Sequence, residues 1–317
     1  MPALLIGTVS LLLFLSTPIR AAFVAKKLKN DMQHDGAGAN LSFSYISLFT
    51  PFKVNTRHVE FEDFTYKVFD DRELRMKFYR SRVKGRRPCV IVIHGGSWKS
   101  GNNKQLPELN SLVASEGYHV AAINYRLAPK YRNPSAAQDV KDALIYLKAN
   151  ADRFNIDTGN FVLLGRSAGA QIALLAAYTL KDPGVKAVID FYGPADMLWG
   201  YSVPAKPLVM DSRKVMEDYL GGTFRDVPQN YRLSSPLLFV DKNSVPTLII
   251  HGKNDPLVAY EHSRRLYKKL RENKVYTYLL TLPWATHGFD YNINGPGGLL
   301  STYSVITFLK KVCKKNG

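Results

Sequence analysis

Phe161-Val-Leu-Leu-Gly-Arg-Ser-Ala-Gly169, continuing into Ala170-Gln-Ile-Ala-Leu-Leu-Ala-Ala177, decides how this chain is read. A strand-like apolar run ends in Gly-x-Ser-x-Gly and a helix-like run follows, which is the layout of a nucleophile elbow. A serine on so sharp a turn takes a strained backbone, and glycines at 165 and 169 leave room for neighbouring segments to pass. Ser167 is thereby expected at the C-terminal edge of a sheet. The five-residue pattern alone also fits an ordinary tight turn, and it is the flanking strand and helix that give it weight.

A serine hydroxyl is a weak nucleophile at neutral pH, so the reading needs a histidine base, an acid to orient it and donors for an oxyanion. Pro88-Cys-Val-Ile-Val-Ile93 reads as a buried strand running into His94-Gly-Gly-Ser-Trp98, whose glycines let backbone N–H groups face a ligand. Val245-Pro-Thr-Leu-Ile-Ile250 enters His251-Gly-Lys-Asn-Asp255-Pro, which puts a carboxylate just past a strand end. Tyr276-Thr-Tyr-Leu-Leu-Thr-Leu282 precedes Ala285-Thr-His287-Gly-Phe289, so a histidine follows another strand. Asp255 is the expected triad acid and His287 the expected general base. Singly, Asp255 also fits a turn residue before Pro256, and His287 a capping or surface histidine. Chain order joins them: Ser, Asp, His differs from the chymotrypsin and subtilisin orders.

With these motifs the chain resembles the α/β-hydrolase superfamily, and within it the carboxylesterase and lipase branch related to hormone-sensitive lipase, over residues 57–315. Asn124-Tyr-Arg-Leu-Ala-Pro129 with Pro134 and Asp139, Tyr219-Leu-Gly-Gly222 and Ser235-Pro236 are similar to that branch. The resemblance implies an oxyanion hole made by backbone N–H groups of Gly96, Ser97 and Ala168, on a loop supported by His94 and Gly95. His94 stands too early in the chain order to be the base and reads as a brace for the loop. Two positions depart from the branch. Ser97-Trp98 replaces a third glycine, closer to the esterase and kynurenine formamidase loops, and Arg166 stands where aspartate is usual. The implied activity is a serine hydrolase cleaving small-molecule or lipid carboxylic esters through an acyl-enzyme, with no metal or organic cofactor. Acyl-amide hydrolysis and a non-catalytic, membrane-tethered binding protein on the same fold are the alternatives.

The rest of the chain agrees with that fold class. His58 to Val68 and Leu74 to Tyr79 read as an antiparallel hairpin across Asp-Asp-Arg, with Leu74, Met76 and Phe78 alternating with charged residues. Apolar runs at 89–93, 119–123, 161–164, 185–191, 246–250 and 276–282 alternate with helical segments, the pattern of a mostly parallel sheet with helices on both faces. Val140, Leu144 and Leu147 make one helix face. Residues 57–317 are read as one catalytic domain, with a candidate cap around 197–240. Trp98, Trp199 and Phe289 are candidates for an acyl pocket, or simply core.

Residues 1–22 are read as an anchor or signal and 23–56 as a linker. Ala3 to Ile19 is a 17-residue uncharged run, at the short limit for a span. No Lys or Arg precedes it, whereas Arg20, Lys26, Lys27 and Lys29 follow, which favours an uncleaved anchor with a cytoplasmic catalytic domain over a secreted or lumenal protein. The balance of 43 basic against 26 acidic residues gives +17. That charge is dispersed and no nucleic-acid-reading module is evident, so a solvated surface, or attraction to anionic lipid, explains it and nucleic acid is not an expected partner. Cys89 and Cys313 form neither a metal cluster nor a disulfide framework.

Overall fold

The computed structural model describes residues 2–34, 45–48, 58–70 and 72–313, except for the side chains of residues 2–14, 33 and 34. Among these, eight strands form one sheet: β1 (Phe61–Phe69), β2 (Arg72–Tyr79), β3 (Arg87–Ile93), β4 (His119–Ile123), β5 (Ile156–Arg166), β6 (Val185–Phe191), β7 (Thr247–Gly252) and β8 (Thr277–Leu282). They lie in the order β1-β2-β4-β3-β5-β6-β7-β8. The hairpin β1–β2 is antiparallel and joins β4 antiparallel, while every pair from β4 to β8 is parallel. Part of the hairpin turn, residue 71, lies outside the described residues.

The helices are α1 (Pro2–His34), α2 (Pro107–Ser115), α3 (Ser135–Ala149), α4 (Ala151–Phe154), α5 (Ala168–Thr179), α6 (Met197–Ser202), α7 (Ser212–Leu220), α8 (Pro228–Leu233), α9 (Glu261–Glu272) and α10 (Pro296–Val312). Strand side chains alternate between two cores. Leu163 and Ile91 meet the layer containing α3, α5 and α9, whereas Val162, Leu164 and Val90 meet α2, α10 and α1. Both faces of the sheet are covered, which is why the central strands read as unbroken apolar runs. Helix α5 is buried nearly all round, as its uniformly apolar sequence requires. Helix α9 is the opposite case, burying Leu266 and Leu270 and leaving its charges outward.

The N-terminal region differs from the expected linker. Residues 23–34 continue α1, and Ala21, Ala25, Leu28 and Met32 are buried on the face that packs with α10. That near-helical spacing, rather than the lysines between, governs the segment. Tyr278 on β8 donates to Asp31 at 3.0 Å and ties the helix to the sheet. Residues 35–44 and 49–56 of the expected linker lie outside the described residues, as do residue 57 and the side chains of the apolar run as far as Phe14. Among the described residues no helix is long and apolar enough to cross a membrane, and nothing there supports the expected anchor at Ala3–Ile19.

Strand order reverses between β3, whose other neighbour is β4, and β5, which leads to β6. In open parallel sheets the crevice at such a point, beyond the strands' C-terminal ends, is where ligands bind.

Candidate active site

Register brings the expected residues to that crevice. Ile93 pairs with Gly165, Arg166 with Phe191, and Gly252 with Leu282, so His94, Ser167, Tyr192 and the loops carrying Asp255 and His287 emerge together. The turn at Ser167 is tight enough to explain both glycines: a Cβ at Gly165 would lie 2.2 Å from the Gly169 carbonyl oxygen, and one at Gly169 would lie 2.3 Å from the Ile93 and His94 carbonyls. Ser167 itself has φ +52°, a conformation that costs a non-glycine residue about 1–3 kcal/mol and persists only where the surroundings enforce it.

Ser167 Oγ lies 3.1 Å from His287 Nε2, and His287 Nδ1 lies 2.7 Å from Asp255 Oδ2. The three expected triad residues therefore form one hydrogen-bonded chain. Asp255 Oδ1 accepts from the backbone N–H groups of Leu257 and Val258. Oδ2 accepts a second histidine, His251, through Nε2 at 3.2 Å. Burial pushes the Asp255 carboxyl up, but the hydrogen bonds from His251 and His287 outweigh it and hold it well below the usual carboxylate range. His251 has a fixed tautomer. Its Nε2 faces two acceptors, Asp255 and the Val258 carbonyl, so it carries the proton, and Nδ1 accepts from Ser263 Oγ at 2.6 Å. Sequence reasoning gave His251 no role, although it opens the segment that ends in Asp255.

The loop after β3 is left-handed over three residues: Gly96 at φ +126°, Ser97 at +54° and Trp98 at +60°. Its support is extensive. Trp98 Nε1 donates to Gln171 on α5 at 2.9 Å, and the indole stacks on Tyr219 of α7 with ring centres 4.5 Å apart. Gly95 N–H donates to Gln105, and Tyr125 stacks on His94 and donates to its carbonyl. His94 Nδ1 donates to the Gly95 carbonyl, and burial brings the imidazole down to about 4, so it is a neutral brace. The backbone N–H groups of Gly96, Ser97 and Ala168 donate to no other group of the described chain. Ala168 also begins α5, where helix N–H groups are free and the dipole is positive.

Two cavities meet at Ser167. The larger, about 570 Å³, is walled by apolar residues of the 197–216 segment, including Met197, Val203, Val209 and Val215, with Trp98 and Ala168 opposite. The smaller, about 210 Å³, is lined by His287, Gly96, Gln105, Tyr192 and Tyr291. Met210 borders both. Of the aromatics expected there, Trp98 lines the large cavity, whereas Trp199 packs on His262, and Phe289 on Phe191 and Tyr192.

Asp190 on β6 is wholly buried near the start of α5. Its Oδ1 accepts from Gly193 N–H at 2.7 Å, and Oδ2 has no partner among the described residues. Burial pushes the carboxyl up to about 7 against that hydrogen bond. The unfolded value is about 3.9. Between the two the folded state holds more protons, so stability falls as pH rises and the whole penalty is present above about pH 7. Asp190→Asn is expected to raise Tm at pH 8 by more than at pH 5, measured by differential scanning fluorimetry; equal shifts would show that Asp190 carries no such penalty.

The BD-FAE family model matches residues 76–270, a span that includes Ser167 and Asp255 and stops short of His287. The chain belongs to the BD-FAE family. As a member it is similar to esterase LipC of Mycobacterium tuberculosis, 31% identical over 242 residues, or 71% of this chain and 58% of LipC. LipM of the same organism, described as a probable carboxylic ester hydrolase, is 30% identical over 66% of this chain and 51% of its own. The chain thus spans little more than half the length of these curated relatives. Among solved structures, an esterase from Pyrobaculum calidifontis superposes with TM-score 0.69 at 23% identity, covering 80% of this chain and 86% of that one. A bacterial heroin esterase gives TM-score 0.71 at 20% identity over 95% of this chain and 93% of its own. At these identities the likeness establishes the fold, which is that of the α/β-hydrolases.

Proposed function

We propose that this BD-FAE chain is a serine hydrolase of carboxylic esters, with Ser167 as nucleophile, His287 as general base and acid, and Asp255 as the acid that orients it. The observation that carries the reading is the hydrogen-bonded chain Ser167–His287–Asp255 beside backbone N–H groups with no other acceptor among the described residues. Ser167 Oγ bonds to the ester carbon as its proton passes to His287 Nε2. Asp255 holds the imidazole and stabilises its charge, and the N–H groups of Gly96, Ser97 and Ala168 receive the developing oxyanion. Collapse of the intermediate breaks the bond to the alcohol oxygen, which takes the proton from His287. Water, deprotonated by His287, then releases the acid and restores Ser167.

The same proton path assigns the cavities. The departing alcohol must lie within reach of His287 Nε2, and His287 lines the smaller cavity and not the larger. The alcohol portion therefore occupies the smaller cavity, and the acyl portion extends into the apolar one. The substrate class is an ester with an extended apolar acyl group and a short alcohol.

Two measurements on the full chain test this. An alkyl fluorophosphonate is expected to modify Ser167 stoichiometrically, read by peptide mass spectrometry; an unmodified Ser167 in folded protein rejects the hydrolase. Methyl octanoate and heptyl acetate are isomers with the ester reversed, and kcat/KM is expected to favour methyl octanoate by about tenfold or more, within what pocket fit supplies. Equal or inverted values overturn the cavity assignment and leave the triad reading standing.

A further inference from the structure

Arg166, the second of the two departures from the usual branch pattern, has no part in the proton path, yet it precedes Ser167 and is fully buried. Its Nε lies 2.6 Å from Asp290 Oδ2, with side chains only 2% and 4% exposed. Asp290 in turn follows His287 by three residues. The other carboxylate oxygen, Oδ1, accepts from the Tyr192 hydroxyl at 2.5 Å. Burial first, and Asp290 next, push that phenol well above its usual range, so it stays protonated and donates. The Tyr192 ring lies against the His287 imidazole, centres 4.4 Å apart. Tyr192 is itself fixed, with φ +47° and its N–H on the Ile250 carbonyl, and the Phe191 carbonyl accepts the Ser167 N–H.

We propose that Arg166, Asp290 and Tyr192 form a clamp that sets the separation and alignment of Ser167 and His287. They are positioning residues, and the inference rests on the hydrolase reading above. Geometry is the reason. Ser167 is on the β5–α5 turn and His287 on the loop after β8, two strands beyond β6 in the sheet. Inside that loop, beyond His287, Phe289 packs on Phe191 and Tyr192, and Asp290 makes the polar contacts that reach back to the Ser167 turn through Arg166 and Tyr192. A guanidinium suits the position because it is planar and always charged, and it stacks 5.1 Å from the Phe191 ring centre while pairing with the carboxylate. A buried ion pair is a poor source of stability, since desolvation offsets the attraction, but it fixes direction and distance.

Removing one partner strands a buried charge and threatens folding, so the test removes both. Arg166→Met with Asp290→Asn is neutral, fills similar volume and keeps an acceptor for Tyr192. In this double variant Tm is expected to stay near that of the wild type, kcat on methyl octanoate to fall about tenfold or more, as misplaced reacting groups do, and KM to change little. Phosphonylation of Ser167 is expected to slow in parallel. Arg166→Lys, which keeps a cation, should retain more kcat than the double variant. Tyr192→Phe, which preserves the ring against His287, should slow both rates by about threefold, a small share of that misplacement effect, and it stands in where the double variant does not fold. Wild-type kcat and phosphonylation in the double variant, or in Tyr192→Phe where the double variant does not fold, overturns the clamp, and so does a loss confined to KM. Wild-type protein inert to both esters and fluorophosphonate sinks the hydrolase reading and the clamp together, which separates that failure from the clamp's own.

Discussion

Asp255→Asn is expected to lower kcat by about 10⁴-fold while the chain remains folded, the scale of the same change in a serine protease triad. The reason is the donor count at one oxygen. Asp255 Oδ2 receives His287 Nδ1 and His251 Nε2, and Oδ1 receives two backbone N–H groups. Asparagine keeps Oδ1 on the backbone and must then present its NH₂ to both imidazoles, donor against donor. His251 cannot yield by moving its proton, because the Val258 carbonyl also needs Nε2 as a donor. His287 is the freer of the two, so it is expected to adopt the tautomer with a bare Nδ1 and a protonated Nε2. That tautomer cannot accept the proton of Ser167. Steady-state kcat, read beside Tm to show that the variant is folded, decides the matter; a loss under about tenfold, a small part of that figure, would mean that Asp255 does not set the His287 tautomer.

Much of this arrangement was legible because it is written in local signals. A glycine-flanked serine after an apolar run, a carboxylate and a histidine each just past a strand, and their order along the chain suffice to bring Ser167, Asp255 and His287 into one crevice. The hairpin and the parallel strands were legible from alternation and from apolar runs, and the observed boundaries differ by only a few residues. The clamp was not. Arg166 and Asp290 are 124 positions apart, and nothing in a buried arginine's local sequence says which carboxylate it will meet. Tyr192 and His251 were passed over for a related reason: each sits in an apolar segment where a ring reads as core. Residues 23–34 form helix where a linker is expected, because Ala21, Ala25, Leu28 and Met32 make a buried face that only the packed neighbour reveals. Asp190 carries no local signal at all, since only burial between sheet and helix makes it unusual.

Gly169→Ala is expected to cost stability at or beyond the ~4–5 kcal/mol that marks exceptional substitutions. The added Cβ would stand 2.3 Å from two backbone carbonyl oxygens, Ile93 and His94. Neither can swing aside as a flexible side chain would. Ile93 closes β3 and pairs with Ile123 on one side and Gly165 on the other. His94 is held through its carbonyl by Tyr125 and through its ring by Gly95. Relief must come from separating α5 from the sheet, which would expose apolar side chains such as Ile172 and Leu174 that are now fully buried, each contributing about 1.5–3 kcal/mol. The same movement carries Ala168 and Ser167 away from Gly96 and Ser97. Denaturant unfolding should therefore show a large fall in midpoint, and the residual folded fraction should react slowly with a fluorophosphonate. A variant of wild-type stability and reactivity would show that the β3 edge is free to recede, and that the close approach at Gly169 does not fix the seat of Ser167.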